Sequence, residues 1–299
     1  MMQLRYAIID VFAEAPLQGN PAAIVFDADA LDGARMQAIA REFNLSETAF
    51  ILKPQDPAHT AQVRLFTPGS EVPFAGHPNI GAAFALSRER EFNADYLTFE
   101  EQAGLVQLRL DRNDGKIVGA SLVAPHTVST EPGPTAAATA AALSLTEADV
   151  VTASHPPITA TVGLPFLFVE VTNVEALGRA RPDLQAFDLI RRSHRVEAVH
   201  VYVKWPDRWG ARIQARNLSP YDGIGEDPAT GSATASLTAL LAQLDSNPNR
   251  SFRLEAHQGI EMGRPSLLHG YAPKENGVVD PPMVTGRCVS VMQGILTVS

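Results

Sequence analysis

Ala75-Gly76-His77-Pro78-Asn79-Ile80-Gly81-Ala82-Ala83 in the first half of the chain and Glu226-Asp227-Pro228-Ala229-Thr230-Gly231-Ser232-Ala233 in the second are the stretches on which the fold turns. Each follows a strand-like run and a loop. Each carries Pro at what would be the first helical position, where the missing N–H costs nothing. Each then has Gly within a few residues and a run of small side chains. Free backbone N–H groups and the helix dipole favour negative charge at a helix N-terminus. Two half-chains that each aim such an N-terminus at a shared cleft would build an anion site from both sides.

Reading outward, residues 4–12, 22–26, 48–52 and 62–66 are apolar and β-branched enough for strands. Gly19-Asn20-Pro21 is a turn. Residues 32–43 carry Met36, Ile39, Ala40 and Phe43 at helical spacing. Residues 78–86 read as a helix. Short strands follow at 96–101, 105–111 and 116–123, with Asp114-Gly115 as a hairpin turn. Residues 125–135, with three Pro, are the best linker candidate. The second half repeats the style. Strands are expected at 166–171, 198–204 and 212–217, and a helix at 182–194. The loop 222–232 leads into an apolar helix over about 229–244. Closing strands are expected at 252–256, 266–271, 286–291 and 295–298. Strands in runs with few helices predict an α+β fold. The division falls into domains 1–126 and 127–299, with the last strands, about 286–299, able to pack back onto the first.

The chain has 299 residues and a formal net charge of −9, which argues against a general nucleic-acid binder. Its single cysteine, Cys288, excludes an internal disulfide framework and any mechanism needing two thiols from one chain. Apolar runs fall short of a membrane span. The N-terminus lacks a signal-peptide layout, so a cytoplasmic protein is expected.

Several motifs can be set aside. The loop 225–232 lacks the Lys of a nucleotide-triphosphate loop. No Gly-x-Gly-x-x-Gly follows the first strand, no His-Glu-x-x-His occurs, and there is no Gly-x-Ser-x-Gly elbow. Neither a nucleotide site nor a catalytic zinc site is therefore indicated. Arg191-Arg192-Ser193-His194-Arg195 reads as a solvated cationic helix end. Three polar positions stand out. Glu47, between a helix and an apolar strand, is either an edge residue in water or an acid/base group. His77 lies in a Gly-His-Pro turn, where a histidine has a structural or a functional role. Asp227 precedes Pro and a helix, so it is an N-cap, a catalytic group or both.

Taken together, the residues resemble the PhzF-like family of phenazine-biosynthesis isomerases. The resemblance begins with Asp10-Val11-Phe12 and Gly19-Asn20-Pro21-Ala22-Ala23. It continues through Ser46-Glu47-Thr48-Ala49-Phe50, Phe66-Thr67-Pro68 and Glu71-Val72-Pro73-Phe74-Ala75-Gly76-His77-Pro78. It resumes in Gly225 to Ala233 and in Gln258-Gly259-Ile260-Glu261-Met262-Gly263-Arg264-Pro265-Ser266.

The resemblance implies a diaminopimelate epimerase-like fold: two pseudo-symmetric α+β domains, each a curled, mostly antiparallel sheet around a central helix, with the site in the cleft between them. In two-thiol epimerases of that fold a Cys stands at the start of each central helix. The matching positions here hold Gly76 and Asp227, so that mechanism is not available. The resemblance implies instead that Glu47 moves a proton between two carbons of a small cyclic or amino carboxylate, flanked by His77 and Asp227. Ser46, Gly76, Gly231 and Ser232 would hold the carboxylate. It further implies no cofactor and a homodimer. The rival readings are a one-base epimerase of another amino or hydroxy acid and a catalytically idle small-acid binder.

Overall fold

A computed structural model describes residues 1–90, 92, 94–205, 212–221 and 225–298. Residues 222–224, the start of the expected loop, lie outside the described residues. The chain divides into two compact units, Met1–Leu122 with Thr285–Ser299, and Val123–Val284. The division falls a few residues before 126/127, and the last residues pack back onto the first unit. The physical reason is pairing: the C-terminal strand, Met283–Val298, runs antiparallel to the first strand of the chain from Met2↔Val298 to Val11↔Cys288.

The first unit has eight strands before the chain leaves it: β1 (Met2–Val11), β2 (Asn20–Val25), β3 (Glu47–Leu52), β4 (Ala61–Phe66), β5 (Glu71–Val72), β6 (Tyr96–Glu101), β7 (Gly104–Asn113) and β8 (Lys116–Val123). β2 and β3 are parallel, as are β4 and β6, and the other neighbours are antiparallel. The C-terminal strand pairs with both β8 and β1, so the sheet closes on itself and has no free edge there. Helix α1 (Gly33–Phe43) and helix α2 (Gly76–Glu89) lie on opposite faces of this sheet. α1 is capped by Asp32, whose side chain accepts from Arg35 N–H, and ends on Asn44 in the left-handed region. Its Met36, Ile39 and Ala40 pack with Phe50 and Phe66. α2 packs against β1, β2, β3 and β7, and residues 77–86 are all buried. Its Gly81, Ala82, Ala83 and Ala85 let a surrounding sheet come close. A helix apolar or small on every side is a core helix.

In the second unit β9 (Ser129–Pro132) pairs with β10 (Ile158–Thr161), so the expected linker contains a strand of this unit. β11 (Pro165–Glu170), β12 (Val199–Lys204), β13 (Arg212–Ser219), β14 (Gly225–Asp227), β15 (Phe252–Gln258) and β16 (Ser266–Ala272) continue the sheet, followed by a small hairpin of β17 (Lys274–Glu275) and β18 (Val278–Val279) and the C-terminal strand, β19. Helices α3 (Ala136–Ala142), α4 (Val174–Arg179) and α5 (Leu184–His194) cover the sheet around Leu167, Val169, Phe187, Val199 and Val201. α3 and α4 were not expected from periodicity, being too short to show it. α6 (Gly231–Leu244) is the buried helix, packed on β10, β11, β15 and β16.

The two units share one plan. β11∥β12, β13∥β15 and the antiparallel β12–β13, β13–β14 and β15–β16 pairs reproduce β2∥β3, β4∥β6, β3–β4, β4–β5 and β6–β7. The registers fix the equivalences residue by residue. Phe66↔Glu71 corresponds to Leu218↔Glu226, and Gln62↔Glu100 to Gln214↔His257. Arg64 and Arg216 then match, and each forms a two-pronged ion pair, Arg64 with Glu71 and Arg216 with Glu226. Both central helices are 14 residues long and begin at a glycine, Gly76 and Gly231.

This register corrects the one drawn from the prolines. The repeat is Glu-x-Pro-x-x-Gly, as Glu71 to Gly76 and Glu226 to Gly231. Asp227 is equivalent to Val72, not to Gly76. Pro78 is the third residue of α2, where the N–H still has no helical partner, and Pro228 lies before α6 altogether.

Candidate active site

Glu47 is the first residue of β3. Strand alternation puts it with Ala49 and Ile51 on the face opposite Phe50. Phe50 belongs to the cluster under α1, so Glu47 shares the face on which α2 packs. His77, second residue of α2, is buried, and its Nδ1 lies 3.4 Å from Glu47 Oε2. Neighbouring Ser46 donates its hydroxyl to Asn20 Oδ1 at 3.1 Å, and Asn20 is buried at the start of β2. The parallel pairing of Ala22 with Glu47 brings these residues together. Ser46, Glu47, Gly76 and His77 are thus one group within the first unit.

Gly76 opens α2 without a side-chain cap. A Cβ there would meet only Leu122 Cδ2, at an ordinary 3.9 Å. Crowding does not require a glycine at this position, while a bare backbone lets another molecule approach closely.

The second unit holds the other group. Asp227 ends β14 and its Oδ2 accepts the Thr230 hydroxyl at 2.7 Å. It is not the N-cap of α6: Thr230 is, and Gly231 and Ser232 are the first two helical residues. Gln258, fully buried at the end of β15, ties this loop down. Its Oε1 accepts from Thr230 N–H at 3.2 Å, and its Nε2 donates to the Asp227 carbonyl at 2.7 Å and to Thr230 Oγ1 at 3.0 Å. Gly259 follows at φ +74°, and a Cβ there would stand 2.6 Å from the Pro228 carbonyl. The segment 258–266 is a buttress for the loop, a role that its sequence motif did not reveal. Arg64, Arg216 and Asn20 also escaped sequence reading. The shared Gln-x-Arg of Gln62–Arg64 and Gln214–Arg216, ahead of each Glu-x-Pro-x-x-Gly, is the signal that would have found the two arginines.

Cys288 is buried in β19, and burial, helped by Asp111, pushes its thiol well above the usual range. The residues at the starts of both central helices, Ala75, Gly76, Thr230 and Gly231, include no cysteine. Among the described residues no three or more His, Cys, Asp or Glu side chains are grouped to hold a metal ion, and no helix is long and apolar enough to cross a membrane.

Paired sheets wrapped around buried helices, duplicated along one chain, are the architecture of the diaminopimelate epimerase-like proteins. A solved hydroxyproline epimerase of Agrobacterium vitis shares it, with a TM-score of 0.62 at 15% identity, over 98% of this chain and 92% of that one. A Bacillus anthracis phenazine biosynthesis protein of the PhzF family superposes with a TM-score of 0.88 at 25% identity over 100% of both chains. The trans-2,3-dihydro-3-hydroxyanthranilate isomerase of Pseudomonas aeruginosa is 38% identical over 97% of this chain and 98% of its own. The sequence profile of the phenazine biosynthesis-like proteins matches residues 9–294. The protein is thus an isomerase. It belongs to the phenazine biosynthesis-like PhzC/PhzF family.

Proposed function

We propose that this isomerase shifts a proton between two carbons of a small cyclic or amino carboxylate, with Glu47 as the acid/base and without a metal or organic cofactor. The observation that carries the reading is the Glu47–His77 pair beside the start of a buried helix whose first residue has no side chain. A carbon acid needs a base held in place, and a positioned carboxylate contributes on the order of 10²–10⁴ in rate. The N-terminal amides of α2, with the Ser46 hydroxyl, suit a carboxylate ligand. Gly231, Ser232 and Asp227 supply the same kinds of group from the second unit, and we assign them to carboxylate binding and to support of the proton transfer. The Pseudomonas relative makes trans-2,3-dihydro-3-hydroxyanthranilate the first substrate to try.

The test is incubation with that compound in D2O, followed by NMR. Isomerisation with deuterium at the receiving carbon is expected. Glu47→Gln should still bind the carboxylate within about tenfold and lose at least about a thousandfold in rate, with no exchange. A Glu47→Gln protein that turns over normally leaves Glu47 an edge residue and overturns the reading.

A further inference from the structure

Glu101 and Gln258 occupy the same place in the two units. Ala61↔Phe99 and Gln62↔Glu100 correspond to Ile213↔Ala256 and Gln214↔His257, so the next residues, Glu101 and Gln258, are equivalent. Each is the last residue of the strand that turns back beside its central helix. Gln258 holds the N-cap residue of α6 and the carbonyl of Asp227. Glu101 has both carboxyl oxygens buried, with the side-chain amide of Asn79 beside it. Asn79, itself fully buried, donates its Nδ2 to the carbonyl of Ala75, the N-cap residue of α2, at 3.0 Å. The turn after Glu101 touches the same helix entry, since Ala103 N–H donates to the Pro73 carbonyl at 3.1 Å. Its counterpart is the packing of Gly259 on Pro228.

We propose that Glu101 is a positioning residue that braces the start of α2, and with it Gly76 and His77, as an uncharged carboxylic acid standing in for the amide of Gln258. Burial of both carboxyl oxygens favours the neutral form. Asn79 spends an N–H on Ala75, and its Oδ1 is buried. A protonated Glu101 offers that oxygen a donor, whereas an ionised one offers only acceptors. Burial pushes the Glu101 carboxyl up to about 8, with the Asn79 amide opposing. Asp56, His59 and Glu100 line the same hollow, and the neighbouring strand β4 and helix α2 carry Arg64 and His77. Glu100 is already engaged by His59 and by the Gln55 and Asp56 amides, and Arg64 by Glu71. The proposal rests on the proton-transfer reading for its effect on rate but not for its effect on stability.

The experiment compares wild type, Glu101→Gln, Glu101→Ala and Gln258→Glu for Tm and kcat across about pH 5 to 9. A carboxyl whose folded value is raised binds its proton more tightly in the folded state. Stability is therefore lost as pH rises from the ordinary glutamate value to about 8. Over that window the Tm of wild type should fall relative to that of Glu101→Gln. Glu101→Gln should keep its neutral kcat within about threefold and lose the alkaline decline of wild type, while Glu101→Ala should lose at least about tenfold at neutral pH. Gln258→Glu can satisfy Thr230 and Asp227 only while protonated. It should work near pH 5 and lose at least about tenfold by pH 8. Parallel Tm profiles for wild type and Glu101→Gln, or an alkaline decline that survives in Glu101→Gln, would overturn the proposal. If no variant turns over the hydroxyanthranilate, the Tm profiles still decide it, and only the substrate reading fails.

Discussion

His77 Nδ1 lies 3.4 Å from Glu47 Oε2, joining the first turn of α2 to the head of β3. A histidine in that position can share a proton with Glu47 or hold its carboxylate in one orientation. His77→Asn is expected to lower kcat about 10–100-fold and to leave carboxylate affinity within about tenfold. Steady-state kinetics with calorimetric binding check this. An unchanged kcat would make His77 a structural residue of α2 and nothing more.

Cys288 is expected to take no part in the proposed chemistry. Its buried thiol, held protonated, should resist alkylation in the native protein and react only after unfolding. Cys288→Ala is expected to keep turnover within about a factor of two and to cost about 1–2 kcal/mol of stability, as the loss of one small core atom. A hundredfold loss of rate would contradict the one-carboxylate mechanism.

The two arginine clamps should differ in weight. Arg216 is almost fully buried and also donates to the carbonyls of Leu177 and Ala180, whereas Arg64 and Glu71 are partly exposed. Arg216→Met leaves the Glu226 charge and two carbonyls without their donor. It is expected to cost about 3–5 kcal/mol. That corresponds to a Tm lower by roughly 10 °C for a unit of this size. Arg64→Met should cost about 1 kcal/mol or less. Thermal melts of the two variants, side by side, test the difference.

His200 sets an acid limit on the second unit. It is fully buried, with Nδ1 3.3 Å from Asn217 Oδ1, and burial pushes it down to about 4. The unfolded chain takes up a proton near pH 6.5 that the folded one refuses, so stability falls as pH drops from about 6.5 to about 4. The full effect is about 3 kcal/mol. His200→Gln should flatten that part of the Tm profile. A profile with the same acid slope would place the titration elsewhere.

Much of this architecture was legible because the central helices are marked twice, by glycine, proline and small side chains. What misled was proline. Pro78 and Pro228 look alike in the sequence, yet one sits inside its helix and the other outside, since the first turn tolerates a missing N–H at any of its positions. The glycines and the glutamates give the true register, but only the strand pairing proves it. The strand at 129–132 was hidden by the prolines in and around it, of which Pro132 stands at its end, where a proline is tolerated. Glu47 and His77 could be named because each sits in a short distinctive block. Gln258 could not be given a role, since its bonds go to backbone and side-chain groups about thirty residues away in sequence.

The strand that seals the first unit is made only after the whole of the second unit. On a ribosome adding about 5–20 residues per second, β1 through β8 wait on the order of ten seconds for their final neighbour while the whole second unit is synthesised. The unit translated first is thus the one that finishes second. Until Thr285–Ser299 emerge, the outer edges of β1 and β8 are open to any passing strand, and a chain released before them would carry that exposure for good.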